Sequence, residues 1–542
     1  MSYKIGVSSG WWKIAKAPEL VGLATKVGGF GATSGVQFVQ ADLDTTSEFY
    51  EPQLKERLKR IKKELGMEVG LHAEVGELMS IEAAEKRLWV QSHLRLVETV
   101  KNAADLGIVF INMHPCTKPQ LEFLEAQYRV TGYYYPVVSF DGRPLYTLCE
   151  KNNRVKEVAT NNMSQVSIDD EVRHRTERRL MREANERALK RLQEFEKKNK
   201  ISADAQRQSF LESFGNEERR TANDIFHSPA MQYQMWKEST HGKFLTRTAE
   251  IAAYEIVGTY MKETGDPLWS HFCGSSDAAT AYIDKHPQFN AAIACKYIQG
   301  HLTVKDHPIN IKHLNGMSII EWLKKSNIKL LFETPEAHEG NEGLIRLFNP
   351  IDIYELIKVI NSPFVKLCID FEHVLGHKIN PDEMIKEAPN DFGKYIELFH
   401  LGRPIPYWGT AHIPLQISSR SQEIIYRWLY AMRQKGWKDG YMIYERGGGK
   451  TPAEVMGQGV WVMRQIKKYL EMDIKPDKLP SEFFGVSEEN EDVYRRQLVT
   501  MREHAWDPLE GVLAIPEEKH TFLSKTAVDK GKKEEWLKRG YR

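Results

Sequence analysis

Cysteine is scarce in this chain, and an excess of either charge is absent. Five cysteines (Cys116, Cys149, Cys273, Cys295 and Cys368) are scattered over 542 residues, odd in number and without a Cys-x-x-Cys pair. That excludes a disulfide framework and a thiolate zinc finger, and it fits a reducing compartment. Lys and Arg total 75 against 74 Asp and Glu, a net charge of +1. No global field therefore steers the chain toward nucleic acid or anionic lipid, although a local basic groove stays open. No apolar run approaches the roughly 18 residues a membrane helix needs. The opening residues lack an apolar stretch ahead of a small-residue cleavage site, so no secretory signal is expected and the expected location is cytoplasmic. A Gly-x-Ser-x-Gly elbow is missing, as is a dinucleotide-type Gly-x-Gly-x-x-Gly between strand and helix, which leaves the serine-hydrolase and Rossmann readings without their motifs.

What is present is a recurring pattern. With 41% hydrophobic residues the chain can build a sizeable core. Short apolar, β-branched runs recur at 4–8, 36–39, 68–72, 108–114, 329–333, 365–370, 395–400 and 441–445. Helical periodicity lies between several of them, at 52–65, 83–106, 352–361 and 421–435. Eight strand–helix units predict an α/β fold, a closed (β/α)8 TIM barrel rather than an open sheet.

The spacing breaks once, between the fourth and fifth strands. A structureless loop of that length does not fit a compact domain, so the gap predicts a large, mainly helical inserted cap subdomain. The expected division is a first half-barrel at 1–116, the insertion at 117–327, a second half-barrel at 328–472 and a C-terminal extension at 473–542. Within the insertion, Glu177-Arg-Arg-Leu-Met-Arg-Glu-Ala-Asn-Glu-Arg-Ala-Leu-Lys-Arg-Leu places Leu180, Leu189 and Leu192 near helical spacing. The interleaved acids favour a solvated helix or helical hairpin over a nucleic-acid arm.

Chemistry gathers at the strand ends. The third strand ends at His72, the fourth at His114, the fifth at Glu333 and the sixth at Asp370, with His373 one turn on. The seventh ends at His400, with His412 in its loop, and the eighth at Glu445. In a βα barrel these ends share one mouth. Apolar strands that each end in an imidazole or carboxylate are costly to bury unless the polar heads are paired. One ion needs fewer ligands than this, so two or three divalent ions are expected, zinc foremost and manganese or iron as alternatives. Arg403 and Arg446 adjoin the ligand positions as candidate phosphate clamps. Gly447-Gly-Gly-Lys450 could cradle an anion or be a plain loop, and Trp11-Trp12 could stack on a ligand or pack in the core.

At these residues the sequence resembles the xylose-isomerase-like TIM barrels, and within them the endonuclease IV family of abasic-site nucleases. The resemblance covers roughly 1–116 and 328–470 and is most specific at Cys368-Ile-Asp-Phe-Glu-His373. It implies that His72, His114 and Glu333 hold one ion. A second would lie among Glu333, Asp370, His400 and Glu445, and a third on His373 and His412. It implies a metal-dependent phosphodiester hydrolase in which metal-activated hydroxide attacks phosphorus, with Glu333 and Glu445 as catalytic carboxylates and damaged or single-stranded DNA as partner, without a membrane role. Two departures stand out: Thr410 occupies the place of an expected Asp ligand to the third ion, and Cys116 replaces a glycine. The related sugar isomerases and epimerases share only the core of Glu333, Asp370, His400 and Glu445, and a divalent-metal sugar isomerase or epimerase is the alternative expectation. A metal-stabilised scaffold without catalysis is the third.

Overall fold

The computed structural model describes residues 3–10, 22–75, 79–118, 134–161, 166–168, 170–199, 204–238, 243–337, 342–404, 412–417, 419–445 and 453–486. Eight parallel strands close into a barrel: β1 (Tyr3–Ser8), β2 (Phe38–Asp42), β3 (Glu68–His72), β4 (Phe110–Met113), β5 (Lys329–Glu333), β6 (Val365–Asp370), β7 (Ile396–His400) and β8 (Gly440–Tyr444). Closure runs through β1 and β8, with Tyr3 opposite Gly440 and Val7 opposite Tyr444. β4 pairs directly with β5, Phe110 opposite Lys329 and Met113 opposite Phe332. The long gap in the strand pattern is thus an insertion that leaves the barrel ladder intact. The (β/α)8 architecture expected from the sequence is the one found, and all eight expected runs are strands.

The helices between strands are α1 (Leu23–Ser34), α2 (Leu54–Leu65), α3 (Lys86–Leu106), α4 (Ile319–Ser326), α5 (Pro350–Ile360), α6 (Phe371–Gly376), α7 (Arg420–Gln434) and α8 (Ala453–Glu471). Their ends follow local chemistry. Ser318 and Glu321 form a capping box on α4, and Asn361 closes α5 in the left-handed conformation.

Side-chain parity on the strands explains the barrel interior. Alternate residues face inward. The lower inward row contains Phe38, Phe110, Leu331, Cys368, Leu398, Tyr441 and Ile443, which pack as one apolar cluster. The rings of Phe38, Phe110 and Tyr441 meet at centroid distances of 4.5–5.3 Å. Gly70 makes room for them, since a Cβ there would lie 2.7 Å from both phenylalanine rings. Two residues further along each strand, the same inward row turns polar: Gln40, His72, Asn112, Glu333, Asp370 and His400, all buried. An aromatic floor therefore sits directly beneath a polar layer.

Contacts divide the chain into two units, Met1–Ser80 with His93–Thr117 and Leu302–Arg542, and Ile81–Ser92 with Lys118–His301. α4 falls within the first of these units. The second unit is largely helical. Its longest helices, Asp170–Lys198 and Asp204–His227, form a hairpin whose buried stripe is Val172, Thr176, Leu180, Ala184, Ala188 and Leu192. Leu189 falls outside this stripe and is exposed, because the contact follows four-residue steps through small alanines. Arg187 and Arg191 reach across the hairpin to Glu218 at 2.8 and 3.0 Å, so the interleaved charges satisfy one another. Among the described residues, no helix is long and apolar enough to cross a membrane.

One buried histidine ties the barrel unit to pH. His93 on α3 bonds Asn310 through Nε2 and meets the ring of His307 edge-on at 5.2 Å. Burial presses its imidazole from 6.5 to about 4, against the pull of the Asn310 hydrogen bond. The folded state thus favours neutral His93, and its contribution is complete above pH 6.5 and lost as pH falls toward 4. About 3 kcal/mol is at stake. Urea unfolding at pH 7.5 and 4.5 should show a smaller acid loss for His93→Gln than for the wild type; equal losses would remove His93 from the acid sensitivity.

Candidate metal centre

The polar layer at the carboxyl ends of β3–β8 brings all eight expected ligands together. Glu333 lies at the middle. Its Oε1 is 2.9 Å from His400 Nδ1 and 3.4 Å from His373 Nδ1, and its Oε2 is 3.1 Å from His72 Nε2 and 3.7 Å from His114 Nε2. His400 Nδ1 is also 2.9 Å from Glu445 Oε2 and 3.7 Å from Asp370 Oδ2. Glu445 Oε2 is 3.6 Å from His412 Nδ1. Donor atoms of Glu333, Asp370, His400 and Glu445 all lie within 4.8 Å of one another, and so do those of His72, His114 and Glu333, and those of His373, His412 and Glu445. The last group supplies a carboxylate where the sequence lacked one, because Glu445 faces both histidines. Thr410 itself lies outside the described residues.

The main chain positions these groups. Asp370 ends β6 and caps α6: its Oδ1 accepts from the Glu372 and His373 amides at 2.6 and 3.2 Å, which leaves Oδ2 turned to the histidines. His72 donates from Nδ1 to the Ala73 carbonyl and His373 from Nδ1 to the Thr334 carbonyl, each at 2.8 Å. When these rings are neutral, such bonds leave the lone pair on Nε2, which is the atom a metal ion would take. His412 has a left-handed backbone, φ 44°, held on both sides. Glu372 Oε2 accepts from its amide at 3.0 Å, and the Tyr444 hydroxyl donates to its carbonyl at 2.5 Å.

Charge and burial oppose each other here. Burial raises the Glu333 carboxyl, but His400, His72 and His114 outweigh it and hold it well below the usual range. Burial pushes Glu445 above the usual range, and neighbouring Glu333 and Asp370 add to the rise against His400. Burial drives His114 down to about 3 and His412 to about 4, so both rings are neutral lone-pair donors. His373 is lifted to about 9, because Asp370, Glu333 and Glu445 overcome its burial.

The donor set fits a divalent cation. His114 Nε2, Glu333 Oε1, His400 Nδ1 and Glu445 Oε2 are buried in the cluster with no well-aligned hydrogen bond to any group outside it. Buried acceptors left unmatched at one point are what a positive ion would satisfy. Mixed imidazole and carboxylate donors suit zinc, manganese or iron.

No family model matches the chain, and no curated protein matches it. Solved structures of barrels do. A D-psicose 3-epimerase aligns at 11% identity over 92% of this chain and 98% of its own, with a TM-score of 0.37. An L-ribulose 3-epimerase aligns at 8% identity over 93% and 100%, with a TM-score of 0.39. A 3-keto-D-glucoside 4-epimerase from E. coli aligns at 8% identity over 86% and 100%, with a TM-score of 0.37. At these values the likeness bears on the kind of fold alone.

The expectation of an abasic-site phosphodiesterase is corrected on this finding. The structures cited are epimerases acting on sugars, and they give the endonuclease, hydrolase and DNA-repair readings no counterpart. The expected phosphate clamp, Arg403 and Arg446, lies partly outside the described residues. Arg403 is half-buried, and its placed contact is its amide on the Ile413 carbonyl at 2.6 Å. Arg446, Gly447-Gly-Gly-Lys450 and Trp11-Trp12 lie outside the described residues.

Residues that reading by strand ends passed over also belong to the centre. Gln40 and Asp42 extend β2 beyond the apolar run that ended at Val39. Asn112 donates to Glu333 Oε2. Cys368 lies within 4.8 Å of Glu333 and His400, its thiol pushed up by burial. Parity carries the signal for the first three: Phe38, Gln40 and Asp42 alternate on β2, as Phe110, Asn112 and His114 do from β4.

Proposed function

We propose that the chain is a divalent-metal-dependent epimerase or isomerase acting on a sugar or sugar derivative. The carrying observation is the convergence of Glu333, Asp370, His400 and Glu445, from four successive strands, within 4.8 Å of one another over an apolar floor. These four would hold the principal ion, with His72, His114, His373 and His412 available to a second or third. A divalent ion there supplies Lewis-acid polarisation of a carbonyl and the hydroxyl beside it, which is the arrangement a ketose or aldose presents.

Proton transfer falls to the two carboxylates. Glu333 and Glu445 each reach within 2.9 Å of His400 Nδ1, and two carboxylates so placed are suited to act as base and acid on a substrate at the ion. One carboxylate removes the proton from the carbon next to the carbonyl. The other returns a proton to the opposite face of that carbon, giving the epimer, or to the former carbonyl carbon while the hydroxyl proton passes from the neighbouring oxygen to the former carbonyl oxygen, giving the isomer. Glu372 and Tyr444 keep His412 in place beside Glu445.

The test is turnover in deuterated water. Protein stripped by chelator and reloaded with manganese, cobalt or zinc is incubated with ketohexoses, ketopentoses and their aldoses, and the products are read by proton NMR. The proposal expects metal-dependent formation of an epimer or isomer with deuterium at the carbon that changes. Metal-loaded protein that exchanges no carbon-bound proton in any of these sugars would contradict it.

A further inference from the structure

His400 presents the atom common to the closest contacts of the centre, yet it uses a different nitrogen from His72 and His373. Those two donate from Nδ1 to main-chain carbonyls and face the cluster with Nε2. His400 faces the cluster with Nδ1, 2.9 Å from both Glu333 and Glu445. Among the described residues no main-chain carbonyl fixes its Nε2; that atom lies 3.3 Å from Gln40 Oε1.

A chain of buried hydrogen bonds decides which nitrogen carries the proton. Asp42 is anchored at Oδ2 by the Gly10 amide at 2.6 Å and the Ser9 hydroxyl at 3.2 Å, while its own amide donates back to Ser9 Oγ at 2.9 Å. Its Oδ1 is 3.0 Å from the Gln40 side-chain nitrogen. A carboxylate only accepts, so the Gln40 NH2 must face Asp42 and its carbonyl oxygen must face His400. That oxygen only accepts, so His400 Nε2 must carry the hydrogen. Nδ1, 2.9 Å from Glu333 and from Glu445, is then the nitrogen whose lone pair a cation among those carboxylates would take in place of a proton. The Asn112 side-chain nitrogen, 3.5 Å from His400 Nε2, does not compete, because it donates to Glu333. Ser9, Gln40, Asp42 and His400 are each 0% exposed, so water cannot substitute for a missing member.

We infer that Gln40, oriented by Asp42, is the positioning residue that fixes His400 as an Nδ1 ligand, so that β1 and β2 act in the metal centre without supplying a ligand. This rests on the metal reading of the site given above. Partners of this kind behind a metal-bound histidine are worth about ten- to a hundredfold in metal affinity.

The experiment measures zinc affinity by competition with a chromophoric chelator, metal content by mass spectrometry and the His400 tautomer by long-range 15N–1H correlation in the zinc-loaded protein. In the wild type the spectrum should show His400 protonated at Nε2. Gln40→Leu should weaken zinc about ten- to a hundredfold in protein that circular dichroism shows to be folded. Gln40→Glu, which keeps an acceptor toward His400, should bind zinc more tightly than Gln40→Leu. Wild-type affinity in Gln40→Leu, or a wild-type His400 protonated at Nδ1, would overturn the inference. Should Gln40→Leu not fold, the wild-type spectrum and Gln40→Glu decide it. A wild type that binds no zinc would refute the metal reading and this inference with it, whereas zinc binding that Gln40→Leu leaves unchanged overturns the inference alone. Absence of sugar turnover with intact zinc binding would refute the sugar reading and leave this inference standing.

Discussion

Glu333→Gln should abolish tight metal binding and lower turnover about 10²–10⁴-fold while the barrel stays folded. The change is nearly isosteric, so packing is kept. It removes the negative charge that approaches His400 at 2.9 Å, His72 at 3.1 Å and His373 at 3.4 Å. An amide can still accept from Asn112, but it cannot neutralise a cation or take a proton from carbon. Metal content by mass spectrometry and the deuterium-exchange assay read the two losses separately, with circular dichroism as the control for folding. Full metal content and full turnover in this variant would remove Glu333 from both roles.

Lys26→Met should destabilise the barrel unit by about 3–5 kcal/mol, the range for stripping one partner from a buried ion pair. Lys26 on α1 is fully buried. Its ammonium lies 2.7 Å from Asp44 and 2.9 Å from Glu48, both carboxylates nearly inaccessible, and donates to the Asp42 carbonyl at 2.8 Å. Methionine fills much of the same volume and leaves two buried carboxylates without their cation. Burial already raises the Glu48 carboxyl against the pull of Lys26, so the loss should be smaller at acid pH, where the carboxylates can protonate. Adding Asp44→Asn and Glu48→Gln should recover most of the stability. A loss below about 1 kcal/mol in the single variant, read by denaturant unfolding at neutral pH, would show that the triad is dispensable.

The sequence showed the barrel clearly because its strands are buried on both faces and read as short apolar runs. Runs at 68–72, 329–333 and 365–370 match β3, β5 and β6 at both ends. The runs that were mis-ended are informative. At β2 the polar pair Gln40 and Asp42 looked like the end of an apolar strand, whereas it is the strand's inward row entering the metal layer. Six of the eight ligands were legible because each stands at a strand end or one residue past it, and His373 and His412 because they follow two of those ends. Glu372 was not, because its role depends on a loop more than 30 residues on folding back to place the His412 amide on it. Nor was the Gln40 to His400 bond, which joins residues 360 apart. Leu189 misled because helix periodicity alone does not say which of two neighbouring stripes a partner helix covers.

The chemistry was harder to read than the ligands. A cage of histidines and carboxylates at a barrel mouth serves phosphodiester hydrolysis and carbon-acid chemistry alike, and the same fold hosts both. What separates them is the group that meets the substrate away from the ion. Within the cluster, Glu333 and Glu445 each stand 2.9 Å from His400 Nδ1, a carboxylate pair placed to serve carbon-acid chemistry.

Anomalous diffraction from crystals grown with manganese or zinc, collected at the absorption edge of that metal, puts the cage itself to the test. A peak bonded to Glu333, Asp370, Glu445 and the Nδ1 atom of His400 is the predicted result. A metal-loaded crystal with no peak among those four side chains, or with its metal held elsewhere while they only hydrogen-bond one another, would contradict it.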